Sequence, residues 1–124
     1  MYQPINQVRL RGFLTESARL FVSRSGQPRI TFRMEVWIDD DNLPPKKPAG
    51  VDYFSVVAFG ADFVNLLPQL GTEREVTLAG RLRSRDIDAD GHRVVTEIVA
   101  HEIVPLQTRT DAVHEKGYAH ATLQ

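Results

Sequence analysis

Apolar and polar residues alternate along most of this chain, and this period of two limits the fold more than any other feature. Successive side chains of a strand point to opposite faces of a sheet, so strict alternation predicts a strand with one buried face. The strand-like segments are Val8–Thr15, Arg29–Ile38, Val51–Phe59, Val76–Arg85 and Arg93–Val104. We therefore predict five strands, of which the third is apolar on both faces, a pattern that indicates a central position or a covered outer surface.

The connections contain one helical pattern. After the third predicted strand, apolar residues recur at helical spacing, and Pro68 is expected to truncate or bend the helix. The residues that carry this spacing are Phe63, Leu66, Leu67 and Leu70. Turn residues at Ser23–Pro28 follow a short apolar run, Arg19–Val22, and Asp39–Gly50 reads as a long polar loop.

The order of these elements is three strands, one short helix and then a two-stranded hairpin. It is the order of an OB-fold, a five-stranded Greek-key barrel that often binds oligonucleotides. Gly12 and Gly80 lie inside strands, where they fit the sharp bends of a small barrel or mark ordinary bulges. We predict an all-β domain over residues 1–106, with the short helix between the third and fourth strands. Residues 107–124 are expected to form a polar, loosely held tail.

The size and composition of the chain agree with one domain. It has 124 residues, of which 42% are hydrophobic, enough to bury a single core. The absence of cysteine excludes disulfides and thiolate metal sites. No stretch is apolar enough to cross a bilayer, and the first residues lack the layout of a secretory signal, so we expect a cytoplasmic protein with no membrane partner.

The distribution of charge is more informative than its sum. The formal net charge is −1, which alone does not indicate a nucleic-acid partner. Twelve of the 15 basic residues are arginine, and many of them alternate along predicted strands. Because a guanidinium is planar and binds phosphate in a bidentate manner, this pattern is compatible with a phosphate-binding surface. A solubilised sheet surface is the alternative.

Four stretches of the chain resemble the bacterial single-stranded DNA-binding protein family, in the family's order and spacing. They are VRLRGFL at Val8–Leu14, SGQPRITFRMEV at Ser25–Val36, DYFSVVAFG at Asp52–Gly60, and the long segment Gly71–Ala100. The resemblance implies an OB-fold that binds single-stranded DNA and forms homodimers or homotetramers. It also implies a role in DNA replication, recombination or repair, and contacts with replication proteins.

The resemblance and the strand parity together give candidate stacking residues. Tyr53 and Phe59 share one face of the third predicted strand, at positions where the family carries aromatic residues that stack on bases. Trp37 lies near another such position, on the polar face of the second strand. Trp37 could instead anchor the following loop or a subunit contact, and Phe59 could belong to the core.

Arginines on neighbouring strands are the candidate phosphate contacts. They are Arg9, Arg11, Arg33, Arg81, Arg83 and Arg85. The last three share parity and should form a line along the fourth predicted strand. The alternative is that these arginines pair across strands with Glu35, Glu75, Asp86 or Glu97, and bind nothing.

Two departures from the family pattern limit what the resemblance implies. Ile87 stands where the family commonly has a tryptophan, and Asp86 and Asp88 flank it. The missing stacking surface and the local negative charge predict weaker DNA binding. The sequence ends KGYAHATLQ and not in the acidic, apolar tip through which the family recruits enzymes, so we do not expect recruitment by that route. These departures resemble the smaller relatives of the superfamily, such as the primosomal replication protein N type.

An acidic segment matches a calcium-binding motif in full. Asp86, Asp88, Asp90, Gly91 and Glu97 fit the D-x-D-x-D-G-x5-E loop of an EF-hand. The flanking residues alternate like strands where an EF-hand needs helices, and DADG is also good hairpin-turn chemistry. The segment therefore predicts a hairpin loop first and a calcium site only as an alternative.

No catalytic or metal centre can be assembled from the remaining residues. His92, His101, His114 and His120 are too scattered for a metal site, and no nucleophile, base and carboxylate set can be placed together. We predict a protein that is not an enzyme and needs no cofactor. The competing function is an OB-fold interaction module that self-associates or docks on a replication complex, with weak or no DNA binding.

Overall fold

The computed structural model describes residues 1–38, 50–88 and 93–108. Within these ranges the chain forms six strands, one α-helix and one 3-10 helix. They are β1 (Val8–Leu14), β2 (Arg19–Val22), β3 (Pro28–Trp37), β4 (Val51–Phe59), α1 (Ala61–Val64), the 3-10 helix Leu67–Gln69, β5 (Arg74–Asp86) and β6 (Val94–Thr108). The predicted order of elements is confirmed, and the short apolar run before the second predicted strand is itself a strand.

The strands form one sheet that closes on itself. Its order is β1-β5-β6-β4-β3-β2, and β1 also pairs with β3, which completes the ring. The pairings are antiparallel except for β4 and β6, which run parallel with Val56 opposite Ile98. A small closed barrel with the helix between β4 and β5 is the predicted OB-fold.

The barrel closes where β1 changes partners. Phe13 lies opposite Glu75 on β5 and also opposite Glu35 on β3. Gly12 stands at this point, and a Cβ atom there would collide with the backbone carbonyl oxygen of Glu35. Gly12 is therefore required by the close approach of two backbones.

Gly80 marks a bulge. The register between β5 and β6 shifts between Ala79 and Gly80. A Cβ atom on Gly80 would run into the carbonyl oxygen of Val99 on the opposite strand. At this position the bulge reading of the sequence pattern is the right one.

The alternating apolar residues fill the barrel. The buried core cluster takes at least one residue from β1 and from each of β3 to β6, and the largest fully buried side chains are Leu14, Ile30, Met34, Val56, Leu70, Val76 and Ile98. Val57 is also buried, although it lies outside this cluster on the opposite face of β4. The middle of β4 is thus covered on both sides, as its apolar pattern predicts.

The helical segment covers part of the core and is short for the predicted reason. α1 ends at Val64, and the chain continues as a 3-10 turn in which Pro68 is one of the first two residues. Proline has no N–H to donate and its ring clashes with the preceding turn, so the α-helix cannot continue through it. Phe63 and Leu67 pack against the core, and Leu70 is fully buried.

β6 extends four residues beyond the predicted end at Val104. The apolar alternation fades at Pro105, but the backbone keeps pairing with β5, and Arg74 lies opposite Thr108 after a register shift. The Arg74 Nη1 atom also donates a hydrogen bond to the Leu106 carbonyl oxygen at 2.6 Å. The strand therefore runs past residue 106, the predicted domain boundary, and residues 109–124 of the predicted tail lie outside the described residues.

Gly80→Ala should destabilise the protein by about 1–3 kcal/mol, because the added methyl group forces the β5 and β6 backbones apart. Gly71→Ala is the matched control, since the nearest atom to a Cβ there is the Ser17 Oγ at 3.9 Å. Its stability should stay within about 1 kcal/mol of the wild type. Urea unfolding of the two variants measures the difference, and equal stabilities would contradict the close approach at Gly80.

Candidate nucleic-acid interface

The pairing of β3 with β4 brings polar and aromatic side chains together on the side of the sheet away from the core. Arg33 lies opposite Ser55, Glu35 opposite Tyr53, and Arg29 opposite Phe59. Because residues directly opposite each other point to the same side, these side chains share one surface. We call this surface the outer face; it carries Arg29, Arg33, Glu35, Ser55, Tyr53 and Phe59.

Tyr53 and Arg33 form a cation–π pair on the outer face. The Arg33 guanidinium carbon lies 4.7 Å from the centre of the Tyr53 ring. The tyrosine is 53% exposed, so much of its ring surface stays open to a ligand. The pair thus combines an aromatic surface with a positive charge at one point of the sheet.

Phe59 has a similar partner from another strand. The Arg83 guanidinium carbon, on β5, lies 5.4 Å from the centre of the Phe59 ring. Phe59 is 37% exposed and lies outside the buried core cluster, so the alternative of a core phenylalanine does not hold. The register places it on the same face as Arg29.

Glu97 of β6 joins two of the predicted phosphate contacts. The Arg83 Nη2 and the Arg85 Nε donate hydrogen bonds to the same Glu97 Oε1 atom, at 2.7 Å and 2.6 Å. Burial raises the pKa of the Glu97 carboxyl, but the hydrogen bonds and charges of the two arginines outweigh it and leave the pKa below its usual value. Glu97 is therefore ionised at neutral pH, and cross-strand pairing, the alternative role for these arginines, does occur.

Arg81 completes the predicted line of arginines on β5. Arg81 lies opposite Val99 and Arg83 opposite Glu97, two residues further along both strands. Arg81, Arg83 and Arg85 therefore share one side of β5. Because Arg83 contacts Phe59, this line of arginines lies beside the outer face.

Trp37 lies at the end of β3, and its ring contacts the ring of Phe13. Its ring centre is 5.6 Å from that of Phe13 on β1, with the two planes tilted by 42°. The Trp37 side chain is 47% exposed, so about half of it contacts the barrel and about half is open to solvent. This geometry suits a stacking residue and an anchoring residue equally.

The structure places Arg9 and Arg11 on a second groove. Together with Thr77 and Glu102 they line a hollow of roughly 300 Å³ between β1, β5 and β6, and it shares no residue with the outer face. The Arg11 Nε donates a hydrogen bond to the Glu75 Oε2 at 3.0 Å, and this bond and the charge of Glu75 raise the pKa of Arg11. The six candidate arginines therefore belong to two surfaces.

Two further residues, Arg29 on the outer face and Phe21 beside it, were not among the candidates. Phe21 of β2 lies opposite Arg29, and the Arg29 guanidinium carbon is 5.1 Å from the centre of the Phe21 ring. Arg29 has the parity of Arg33, a signal in the sequence that could have identified it. Phe21 belongs to a run of four residues, which is too short for alternation to show which side chains point to the core and which point outward.

The described part of the acidic motif does not resemble an EF-hand. Asp86 ends β5, and the flanking elements are strands. The Glu97 carboxylate is engaged by two arginines, while Asp90 and Gly91 lie outside the described residues. Among the residues that the structure describes, no group of three or more His, Asp or Glu side chains is placed to hold a metal ion.

No helix in the described ranges is long and apolar enough to span a membrane.

Solved structures with the same fold support this architecture. A Plasmodium falciparum protein described as an SSB complex with ssDNA superposes with a TM-score of 0.71 at 19% identity, covering 86% of this chain and 99% of that one. Wild-type single-stranded DNA binding protein from Thermus aquaticus gives a TM-score of 0.74 at 21% identity, and a deletion mutant of it gives 0.71 at 22%. This chain spans 52% of the length of each Thermus aquaticus chain.

Comparison with curated proteins gave no match. The model of the single-strand binding protein family matches residues 5–106, a range that contains every candidate aromatic and arginine residue described above. Because that range is most of the chain, this protein belongs to the single-strand binding protein family.

Proposed function

We propose that this protein binds single-stranded DNA without sequence preference and serves DNA replication, recombination or repair, as its family does. The observation that carries the proposal is the pair of exposed rings on the outer face, Tyr53 and Phe59, each in contact with an arginine. Similar proteins of known structure include one described as a complex with ssDNA.

The outer face has the two features that such binding requires. Bases stack on aromatic rings, each contributing about 1–3 kcal/mol, and a positively charged groove follows the phosphates. Every base has an aromatic face, so stacking on Tyr53 and Phe59 does not depend on sequence. A guanidinium can bind a phosphate or stack on a base, and Arg33 and Arg83 lie beside the two rings.

Phosphate contacts are assigned first to Arg33, Arg81, Arg83 and Arg85. The protein as a whole has a net charge of −1, so attraction to DNA must come from the local clustering of these arginines. Arg9 and Arg11, on the second groove, stay predicted phosphate contacts for a strand that continues around the barrel. Trp37 stays a predicted stacking residue.

We also infer that the protein self-associates as a homodimer or homotetramer, acts in the cytoplasm and has no enzymatic activity. Self-association and the lack of enzymatic activity are supported by the family resemblance, and the cytoplasmic location is the expectation drawn from the sequence. Contact with replication proteins belongs to the same inference.

Titration with a long oligo-dT strand at low salt should give micromolar or tighter binding that weakens as salt is added. Tyr53→Ala and Phe59→Ala should each weaken binding by about 1–3 kcal/mol, because each removes one stacking surface. Binding can be followed by fluorescence anisotropy of a labelled strand, and quenching of Trp37 tests whether that residue also stacks.

Leu20→Ala is the control for these two variants. Leu20 is exposed and lies opposite the buried Ile30, so its side chain points to the other side of the sheet from the outer face. Its affinity should match the wild type. Wild-type protein that does not bind at low salt would refute the proposal and favour the interaction module. Aromatic variants that bind no more weakly than Leu20→Ala would refute it too.

Glu97→Gln should tighten DNA binding, because Glu97 now neutralises part of the charge of Arg83 and Arg85. Each additional phosphate contact should steepen the slope of log K against log salt by about 0.7. The control is Asp52→Asn, which removes the same charge from the other side of β4, since Asp52 lies opposite Val36 and not on the outer face. Both variants are first checked for folding, and equal affinities for the two would contradict the role of Glu97.

A further inference from the structure

A row of side chains crosses three strands of the outer face. Phe21 on β2 lies opposite Arg29 on β3, which in turn lies opposite Phe59 on β4. Residues directly opposite each other share a face, so all three point away from the core. Two strand spacings of about 4.8 Å put the backbones of the two phenylalanines roughly 10 Å apart.

The Phe21 end of this row opens on a groove. The groove has a volume of roughly 440 Å³ and is lined by residues that include Arg19, Phe21, Arg29, Arg33, Ser55 and Arg85. Its lining therefore connects edge strand β2 with the part of the outer face already assigned to DNA. Two acidic residues, Glu16 and Glu97, also line it.

The charge of the groove is positive on balance. Arg19 lies 3.7 Å from Glu16, and Arg85 bonds to Glu97. Arg29 and Arg33 instead lie over the rings of Phe21 and Tyr53. A ring attracts a cation without cancelling its charge, so these two arginines keep a full positive charge available to a phosphate.

We propose that Phe21, with Arg29 over its ring, is a further stacking site for a base of single-stranded DNA, and that the bound strand extends along the groove onto β2. This inference rests on the proposed function. Phe21 is 42% exposed, close to the exposure of Phe59, and it has the same kind of arginine partner. The base occupies the ring while Arg19, Arg29 and Arg33 contact the phosphates on either side of it.

The competing explanation is that Arg29 only shields an apolar ring from water. The two explanations differ in their dependence on DNA length. A further stacking site is reached only by a strand long enough to pass Tyr53 and Phe59, whereas a shielding contact is indifferent to length. An oligo-dT series of increasing length therefore separates them.

The experiment measures affinity by anisotropy for wild type, Phe21→Ala and Phe21→Leu across this series at one salt concentration. Loss of a single stacked base corresponds to a roughly 5- to 150-fold weakening. We expect this loss for both variants with long strands and no change with the shortest strands that bind. Phe21→Leu keeps an apolar side chain, so it preserves the test if the alanine variant unfolds.

Leu20→Ala is the matched control on the same strand. Leu20 is also exposed, but it lies opposite Ile30, so its side chain points to the other side of β2. It should bind every length as the wild type does. Tyr53→Ala is measured in the same series and reports on stacking at the outer face.

The outcomes separate the two proposals. Phe21 variants that match Leu20→Ala at every length, while Tyr53→Ala is weakened, would overturn the Phe21 site and leave the proposed function standing. Equal weakening at all lengths would also overturn it, because the loss would then reflect a general disturbance of the face. Wild-type protein that binds no strand would overturn both.

Discussion

The pairing of β1 with both β5 and β3 is the constraint on which the rest of the structure depends. It closes the sheet at Phe13, and only a glycine at residue 12 lets the two backbones come together there. Once the sheet is closed, each alternating strand must turn one set of side chains inward and the other outward. The same closure that forms the core therefore puts Arg33, Tyr53 and Phe59 on the outside.

The arginines on and beside the outer face differ in how firmly they are held. Cation–π contacts at exposed sites contribute about 0.5–1 kcal/mol, so a phosphate can displace Arg33 from Tyr53 at little cost. Arg83 and Arg85 share a largely buried carboxylate, and a phosphate must compete with it. The carboxylate also fixes the two side chains in place, and the smaller entropy loss on binding offsets only part of this competition. The outer face thus combines readily available and pre-organised cations.

Local patterns predicted the barrel well. The period of two located the inward-facing residues of β1 and β3, and Pro68 accounts for the short helix. Alternation also put Tyr53 and Phe59 on one face, and both rings are exposed in the structure. Each of these features depends on residues close together in the sequence.

Features that depend on pairing between distant strands could not be predicted from local patterns. The last residues of β6 are held by backbone pairing with Arg74, so the loss of alternation at Pro105 did not mark the end of the strand. Parity predicts that Arg83 and Arg85 share a side, but only the β5–β6 register shows that Glu97 joins them. Likewise, only the structure shows that Arg9 and Arg11 line a groove apart from the outer face, and only the β2–β3 register brings Phe21 next to Arg29.

The central claim is that single-stranded DNA lies on the outer face, and photo-crosslinking tests it most directly. An oligo-dT strand carrying 5-iodouracil reacts with aromatic side chains on which the base stacks, and mass spectrometry of the digested complex identifies them. The account predicts adducts on Tyr53 and Phe59. A bound strand whose adducts fall only on aromatic residues away from the outer face, such as Tyr2, would contradict it.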